Sequence, residues 1–313
     1  MQAIVIHRIL QIIPVLIGIS IITFLLVSLA PGDPAEISLR AILDTDSPSP
    51  ESISLMRAEM GLDQPLHIRY FIWLSRVVQG DLGYSYLTHK STVYEILYAL
   101  PTTFILAVSA MAISIIIGIP LGIAAAIKQN GILDHFCRFF SIIGNSTPEF
   151  FMAIVLLLIF SIELKILPVA GSGGFQYFIL PSVVLAIGLI AITSRIMRTS
   201  MLDVLEENYI LTARSKGLDR KTIISKHAIK NAMLPVLTYM GTQFGWLFGG
   251  AVIVESIFAL PGLGRLTVDA VNTRDIMILQ GCMITFAIIF VVINLLVDLS
   301  YIYLNPAIKY EEV

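Results

Sequence analysis

Five stretches of this chain contain no Asp, Glu, Lys or Arg at all: residues 9–32, 96–127, 166–194, 231–254 and 276–297. Each is long enough for the roughly 20 apolar residues that a helical bilayer crossing needs. Hydrocarbon offers backbone N–H and C=O groups no partner, so such a run satisfies them internally, as a helix. A sixth apolar stretch, 139–162, is interrupted by Glu149. The composition agrees, with 57% hydrophobic and only 13% charged residues, against roughly 25% charged in soluble domains. The expected fold class is therefore an all-α membrane protein with six transmembrane helices. The first run could also be read as a signal peptide with Ser28-Leu29-Ala30 as its cleavage site. Its uncharged length favours a retained span.

Lys and Arg set the expected orientation. With a cytoplasmic N-terminus, inside segments hold Arg8, Lys128, Arg138, eight basic residues in 195–230, and Lys309, twelve in all. The outside holds eight, but five lie in the long 33–95 loop, and long loops translocate largely regardless of charge. Twelve against three places both termini inside. The net charge of −2 gives no reason to expect nucleic-acid binding. Cys137 and Cys282 fall near opposite membrane faces, so they read as small apolar packing residues rather than a disulfide or metal site.

Two regions follow. Residues 1–95 should form the first span plus an extracytoplasmic helical cap, and 96–313 a five-span core with a cytoplasmic loop at 195–230. In the cap, 44–50 is a breaker cluster, and Ser49-Pro50-Glu51 supplies an N-cap followed by Pro at N1. Ile53, Met56 and Met60 then recur at helical spacing, and Gly61 offers a left-handed stop. Tyr70, Trp73, Leu74 and Val77 share a face of a second helix, whose Tyr and Trp suit a headgroup region. A solvated linker is the alternative.

The 195–230 island carries eight Lys or Arg and four acids between two uncharged runs. Its centre reads as a short polar helix with Glu206 and Glu207 near the positive end of the helix dipole, and Arg214 and Lys216 near the negative end. Asn208 or an adjacent Glu caps it, Gly217 stops it, and Leu218 makes the closing apolar contact. Tyr209, Ala213 and Lys216 are expected on one face. Such a helix suits docking to a soluble partner; a solvated loop is the alternative.

Catalytic, metal and cofactor sites are not expected. There is no Gly-x4-Gly-Lys-Ser/Thr phosphate loop, no His-Glu-x-x-His and no Gly-x-Ser-x-Gly, and the five histidines are scattered. Uphill transport would need energy from another subunit or an ion gradient. Gly241, Gly245 and Gly249 recur every fourth residue, widened by Gly250, as a helix-packing row or a backbone-lined path. Thr147-Pro148-Glu149 should start a half-helix, with Pro148 at N1 and Glu149 in its first turn, as a cap or as a charge bordering a path.

A set of motifs runs along nearly the whole chain. It comprises His7-Arg8-Ile9-Leu10, Pro31-Gly32-Asp33-Pro34, Gly61-Leu62-Asp63-Gln64-Pro65-Leu66, Gly80-Asp81-Leu82-Gly83, Asn208-Tyr209 with Thr212 to Leu218, and His227 to Pro235. Glu255-Ser256-Ile257-Phe258, Pro261-Gly262-Leu263-Gly264, Arg274-Asp275 and Asn294 to Leu299 complete it. With these the sequence resembles the B-type membrane subunit of the peptide/nickel class of bacterial ABC importers. The resemblance implies a type I importer permease fold in the inner membrane and a translocation path for peptides or nickel, free or chelated. It implies a C-type permease partner, two ATPase subunits that bind the ATP and Mg, and an extracytoplasmic binding protein. The island resembles the family's Glu-Ala-Ala loop, whose coupling helix docks in an ATPase cleft; Ala213 and Gly217 match, whereas Leu211 and Thr212 replace the Glu and the first Ala. The implied docking residues are Tyr209, Thr212, Ala213, Arg214, Lys216, Gly217 and Leu218. Two rivals from other classes are an ion-coupled secondary carrier and an intramembrane assembly protein.

Overall fold

Thirteen helices and two π-helical turns account for the regular structure of the described residues, which show no strand beyond an isolated bridge between Tyr84 and Ser91. The computed structural model describes the backbone of residues 2–29, 32–43 and 47–304, and their side chains apart from 2–12, 41, 250 and 298–304. Expectations resting on His7, Arg8, Ala30, Pro31, the 44–46 turn, Gly250, Asp298, Leu299 and Lys309 lie outside these.

In chain order the helices are α1 (Gln2–Ser28), α2 (Pro34–Leu43), α3 (Pro50–Glu59), α4 (Leu66–Val78), α5 (Thr92–Ile127), α6 (Ile132–Ser146) and α7 (Glu149–Leu157). Then come α8 (Gln176–Glu206), α9 (Asn208–Ser215), α10 (Arg220–Thr222), α11 (Ile229–Ile257), α12 (Leu263–Thr273) and α13 (Ile276–Leu304). Every expected apolar run overlaps a helix or, for 139–162, the pair α6–α7. One boundary is corrected: the run 166–194 is helical only from Gln176, and α8 then continues into the charged island as far as Glu206. By length and composition α5, α8 and residues Ile276–Val297 can each cross a bilayer, and the bent pair can serve as a fourth crossing.

The chain divides into two compact units, Met1–Thr103 with Pro261–Val313, and Phe104–Leu260. In the first, α3 starts as its sequence dictates. Ser49 is the N-cap, its Oγ accepts the Ser52 N–H at 3.1 Å, and Pro50 follows. Gly61, at φ +66°, ends the helix, and the Leu62 N–H reaches back to the Arg57 carbonyl. The expected face of α4 exists and packs inward on the rest of the unit. Trp73 is buried against Phe24 of α1 and Ile284 of α13, with Tyr70, Leu74 and Val77 around them. The Tyr70 hydroxyl lies 2.8 Å from Ser20 Oγ. Burying a Trp between two helices stabilises more than leaving it half-wet, because aromatic side chains bring the largest apolar area. Asp275 explains the Arg274-Asp275 pair: Arg274 takes a left-handed turn at φ 57°, and Asp275 Oδ1 accepts the Ile278 N–H that opens α13.

In the second unit α8 is the hub, packed by α6, α7 and α11. Close approach comes from glycines on its neighbours. A Cβ at Gly122 of α5 would lie 2.5 Å from the Ser194 carbonyl, and one at Gly144 of α6 would lie 2.8 Å from Ala191 Cβ. Asp134 of α6 is fully buried and paired with Arg198 of α8, with Nη2 donating to Oδ2 at 2.9 Å and Nε donating to Oδ1.

Candidate functional site

The short helix α9 is a polar segment closed at both ends by local chemistry. Its N-cap is Glu207, in extended conformation and without a side-chain hydrogen bond, so the capping side chain expected at Asn208 or Glu207 is absent. At the other end Gly217, at φ +78°, donates to the Arg214 carbonyl at 2.9 Å, and Leu218 donates to the Ala213 carbonyl at 3.3 Å. These are the two bonds of a Schellman closure, which needs a left-handed residue at Gly217. Asp219 then caps α10, its Oδ2 accepting the Thr222 N–H at 3.1 Å. The Thr222 side-chain and backbone hydrogen bonds hold that carboxyl below its usual range.

One expectation about α9 is corrected. Ala213 does not share an outer face with Tyr209 and Lys216. It is buried with Ile210, and these two seat the helix on the rest of the unit. The exposed face carries Leu211, Thr212, Ser215 and Leu218, and the leucines are 50% and 40% exposed. Tyr209, Arg214, Lys216 and Gly217 are also exposed, and the Tyr209 hydroxyl accepts from Asn231 Nδ2 at 2.7 Å. Arg220 reaches across to the Ile127 carbonyl at 3.2 Å, tying the island to the end of α5. Beside α9, Leu205, Arg214, Leu218, Arg220, Ile223 and Ile224 line an open groove.

Glu149 occupies a second region of the same unit. Thr147 is extended, as a residue before proline must be, and Pro148 has no N–H to continue α6. The chain bends by 102° at this break. Pro148 becomes the N-cap rather than N1, and Glu149 opens α7 in its first turn as expected. The carboxylate lines an open cavity of about 490 Å³ together with Tyr239, Gln243 and Trp246 of α11 and Gly188 of α8. These three α11 residues were not singled out in the sequence, although Tyr239 and Gln243 stand one turn apart as polar groups in an uncharged run.

The glycine row on α11 is only partly a packing row. Gly245 is buried, Gly241 half-buried and Gly249 exposed, with no atom within 4 Å of an added Cβ. The filled row lies on α5, where Gly118 and Gly122 both meet α8. Its Gly-x3-Gly spacing was the available signal.

Comparison with known proteins decides the family. A model described as "Binding-protein-dependent transport system inner membrane component" matches residues 118–310, and a companion model for the N-terminal part of such components matches residues 1–107. This chain belongs to that family. The permease is 39% identical over 307 residues to the glutathione transport system permease protein GsiC of Salmonella paratyphi A, covering 98% of this chain and 99% of that one. It is 40% identical, over the same shares, to GsiC of Escherichia coli strain K12. Among solved structures, the inward-facing MetNI methionine ABC transporter superposes with a TM-score of 0.57 at 13% identity, covering 68% of this permease and 97% of that chain. An amino acid ABC transporter solved with histidines gives 0.53 at 16% identity, covering 66% and 93%. The fold is that of type I ABC importer permeases. The chain is thus a membrane-embedded ABC importer permease subunit and not itself an enzyme.

Proposed function

We propose that this permease forms half of the translocation path of an ATP-driven importer of small peptides, glutathione among them. The reading is supported by full-length identity of 39–40% to permeases named for glutathione transport. The partners are a second, C-type permease, two ATPase subunits carrying ATP and Mg, and an extracytoplasmic binding protein. The chain crosses the bacterial inner membrane six times with both termini in the cytoplasm, and residues 33–95 cap its outer surface.

The observation that carries the coupling role is α9, a Schellman-closed helix seated by Ile210 and Ala213, with Leu211 and Leu218 left exposed beside basic residues. Exposed leucines on a polar helix suit a protein cleft better than open solvent. Tyr209, Thr212, Arg214 and Lys216 border the docked surface, while Ala213 supports it from beneath and Gly217 closes its end. Glu149 borders the path.

The test is reconstitution of the permease pair, ATPases and binding protein in liposomes. Glutathione uptake should require ATP and binding protein. Uptake of nickel ions instead would move the assignment to the metal side of the family resemblance. Transport by the permease alone under an ion gradient would support the secondary carrier.

A further inference from the structure

The cavity beside Glu149 has a chemistry narrower than a passage needs. Beside Asn145 and Thr147 at the end of α6, its polar side chains include four more: Glu149 from the start of α7, and Tyr239, Gln243 and Trp246 from three successive turns of α11, far away in the sequence. Among the described residues, none of the four side chains has a hydrogen-bond partner, and no Lys, Arg or His pairs with Glu149. The rest of the lining is largely apolar, from Val184, Leu185, Leu189, Leu247 and Ile253. A carboxylate in such surroundings costs solvation that only a matching cation or hydrogen-bond donors restore.

We infer that this cavity binds the free ammonium group of the peptide in transit, with Glu149 as its counter-ion. A single carboxylate, a phenol, a carboxamide and an indole match an ammonium better than a divalent metal. A metal site would gather several His, Cys, Asp or Glu ligands, and no group of three or more is found among the described residues. Aromatic faces attract ammonium groups through the ring quadrupole, with Trp the strongest, and Gln243 offers a carbonyl to an N–H donor. Trp246 is 55% exposed, so it is placed as a contact surface rather than as packing. The start of α7 favours negative charge near it through the helix dipole, which does not by itself select a ligand.

This inference rests on the peptide-import reading, and two separate measurements keep their failures apart. In the first, glutathione and N-acetylglutathione compete for the full importer in nanodiscs, without nucleotide and without binding protein, so that only the membrane site discriminates. The parent should prefer glutathione by about tenfold, the scale of one desolvated charge contact. Glu149→Gln should erase that preference while leaving the N-acetyl affinity within about twofold, and Trp246→Leu should reduce the preference by about threefold. A parent that does not discriminate overturns the proposal. So does Glu149→Gln weakening both ligands by one common factor, which would make Glu149 a structural cap. The second measurement is ATP-driven glutathione uptake by the parent. If uptake proceeds but binding shows no preference, only the ammonium site is wrong. If uptake fails with intact ATP hydrolysis, the peptide reading falls and takes the site with it.

Discussion

Two glycine rows at the same four-residue spacing have opposite surroundings. On α5, Gly118 and Gly122 are filled: added Cβ atoms would lie 3.2 Å from Thr193 Cβ and 2.5 Å from the Ser194 carbonyl. On α11, the row that dominates the sequence ends in the open at Gly249. A helix turns about 100° per residue, so four-residue steps drift by about 40°, and Gly249 points about 80° away from Gly241. The row therefore leaves the buried face of α11 and joins an exposed stripe with Thr242, Trp246 and Ile253. The spacing marks where backbones can approach, and only the neighbouring helix decides whether they do.

The comparison is broken most severely at Gly122. Gly122→Leu would drive a side chain into the Ser194 carbonyl and Met197 Cβ, neither of which is the far end of a flexible chain. Overpacking of this kind costs about 3 kcal/mol or more. The expected outcome is loss of the folded subunit in size-exclusion chromatography of detergent extracts. A monodisperse peak with the parent's thermal midpoint would show that α5 and α8 are not held as tightly as described.

Next is the ion pair that fixes α8 to α6. Asp134→Ala leaves Arg198 only 16% exposed and without its bidentate partner. Removing one member of a buried pair costs about 3–5 kcal/mol, and Arg138, which also reaches Asp134 from the surface, loses its partner too. A thermal midpoint within about 2 °C of the parent would contradict this. Arg198→Met with Asp134→Leu should recover much of the loss, since apolar replacements of a buried pair are often neutral.

What the sequence could reveal divides along physical lines. Uncharged runs, proline breaks and glycine stops act through the chain's own covalent geometry, so the helices, the bend at Pro148 and the closure at Gly217 were readable locally. Facing was not. Ala213 was assigned to the outer side of α9 because spacing alone cannot tell which half of a short helix finds a floor. The packing of Trp73 is not readable locally because its partners, Phe24 and Ile284, are far away in the chain. Asp134 and Arg198 are 64 residues apart, and each resembles an ordinary flanking charge until α6 and α8 meet. The cavity polar groups of α11 escaped for the same reason: a Tyr and a Gln in an apolar run acquire meaning only opposite Glu149.

A smaller effect is expected at the exposed coupling segment. Gly217→Val places a β-branched residue at φ +78°, which such residues essentially do not adopt. The cost is about 1–2 kcal/mol and local, since no atom lies within 4 Å of an added Cβ there. The subunit should assemble, while ATP hydrolysis stimulated by the binding protein falls to its basal rate. Normal stimulation would remove α9 from the coupling path.

The smallest change is at Gly249, where it separates two kinds of exposure. In the subunit alone nothing opposes a methyl group at this position, and replacing a mid-helix glycine by alanine gains about 0.8 kcal/mol of helix propensity. Gly249→Ala should therefore leave the isolated subunit slightly more stable. A stripe that combines Thr242 and Gly249 is a poor lipid face, because glycine buries little apolar area and small residues favour close helix contact. If the second permease covers this stripe, Gly249→Leu lowers recovery of the permease pair in co-purification while the isolated subunit keeps its thermal midpoint. Val254 is fully buried within the unit, so Val254→Leu tests the converse: a shift in the subunit's midpoint with pairing retained. Equal pairing by the parent and Gly249→Leu would leave the exposed stripe facing lipid or the path, and the contrast with the filled row on α5 would then be one of lining rather than of assembly.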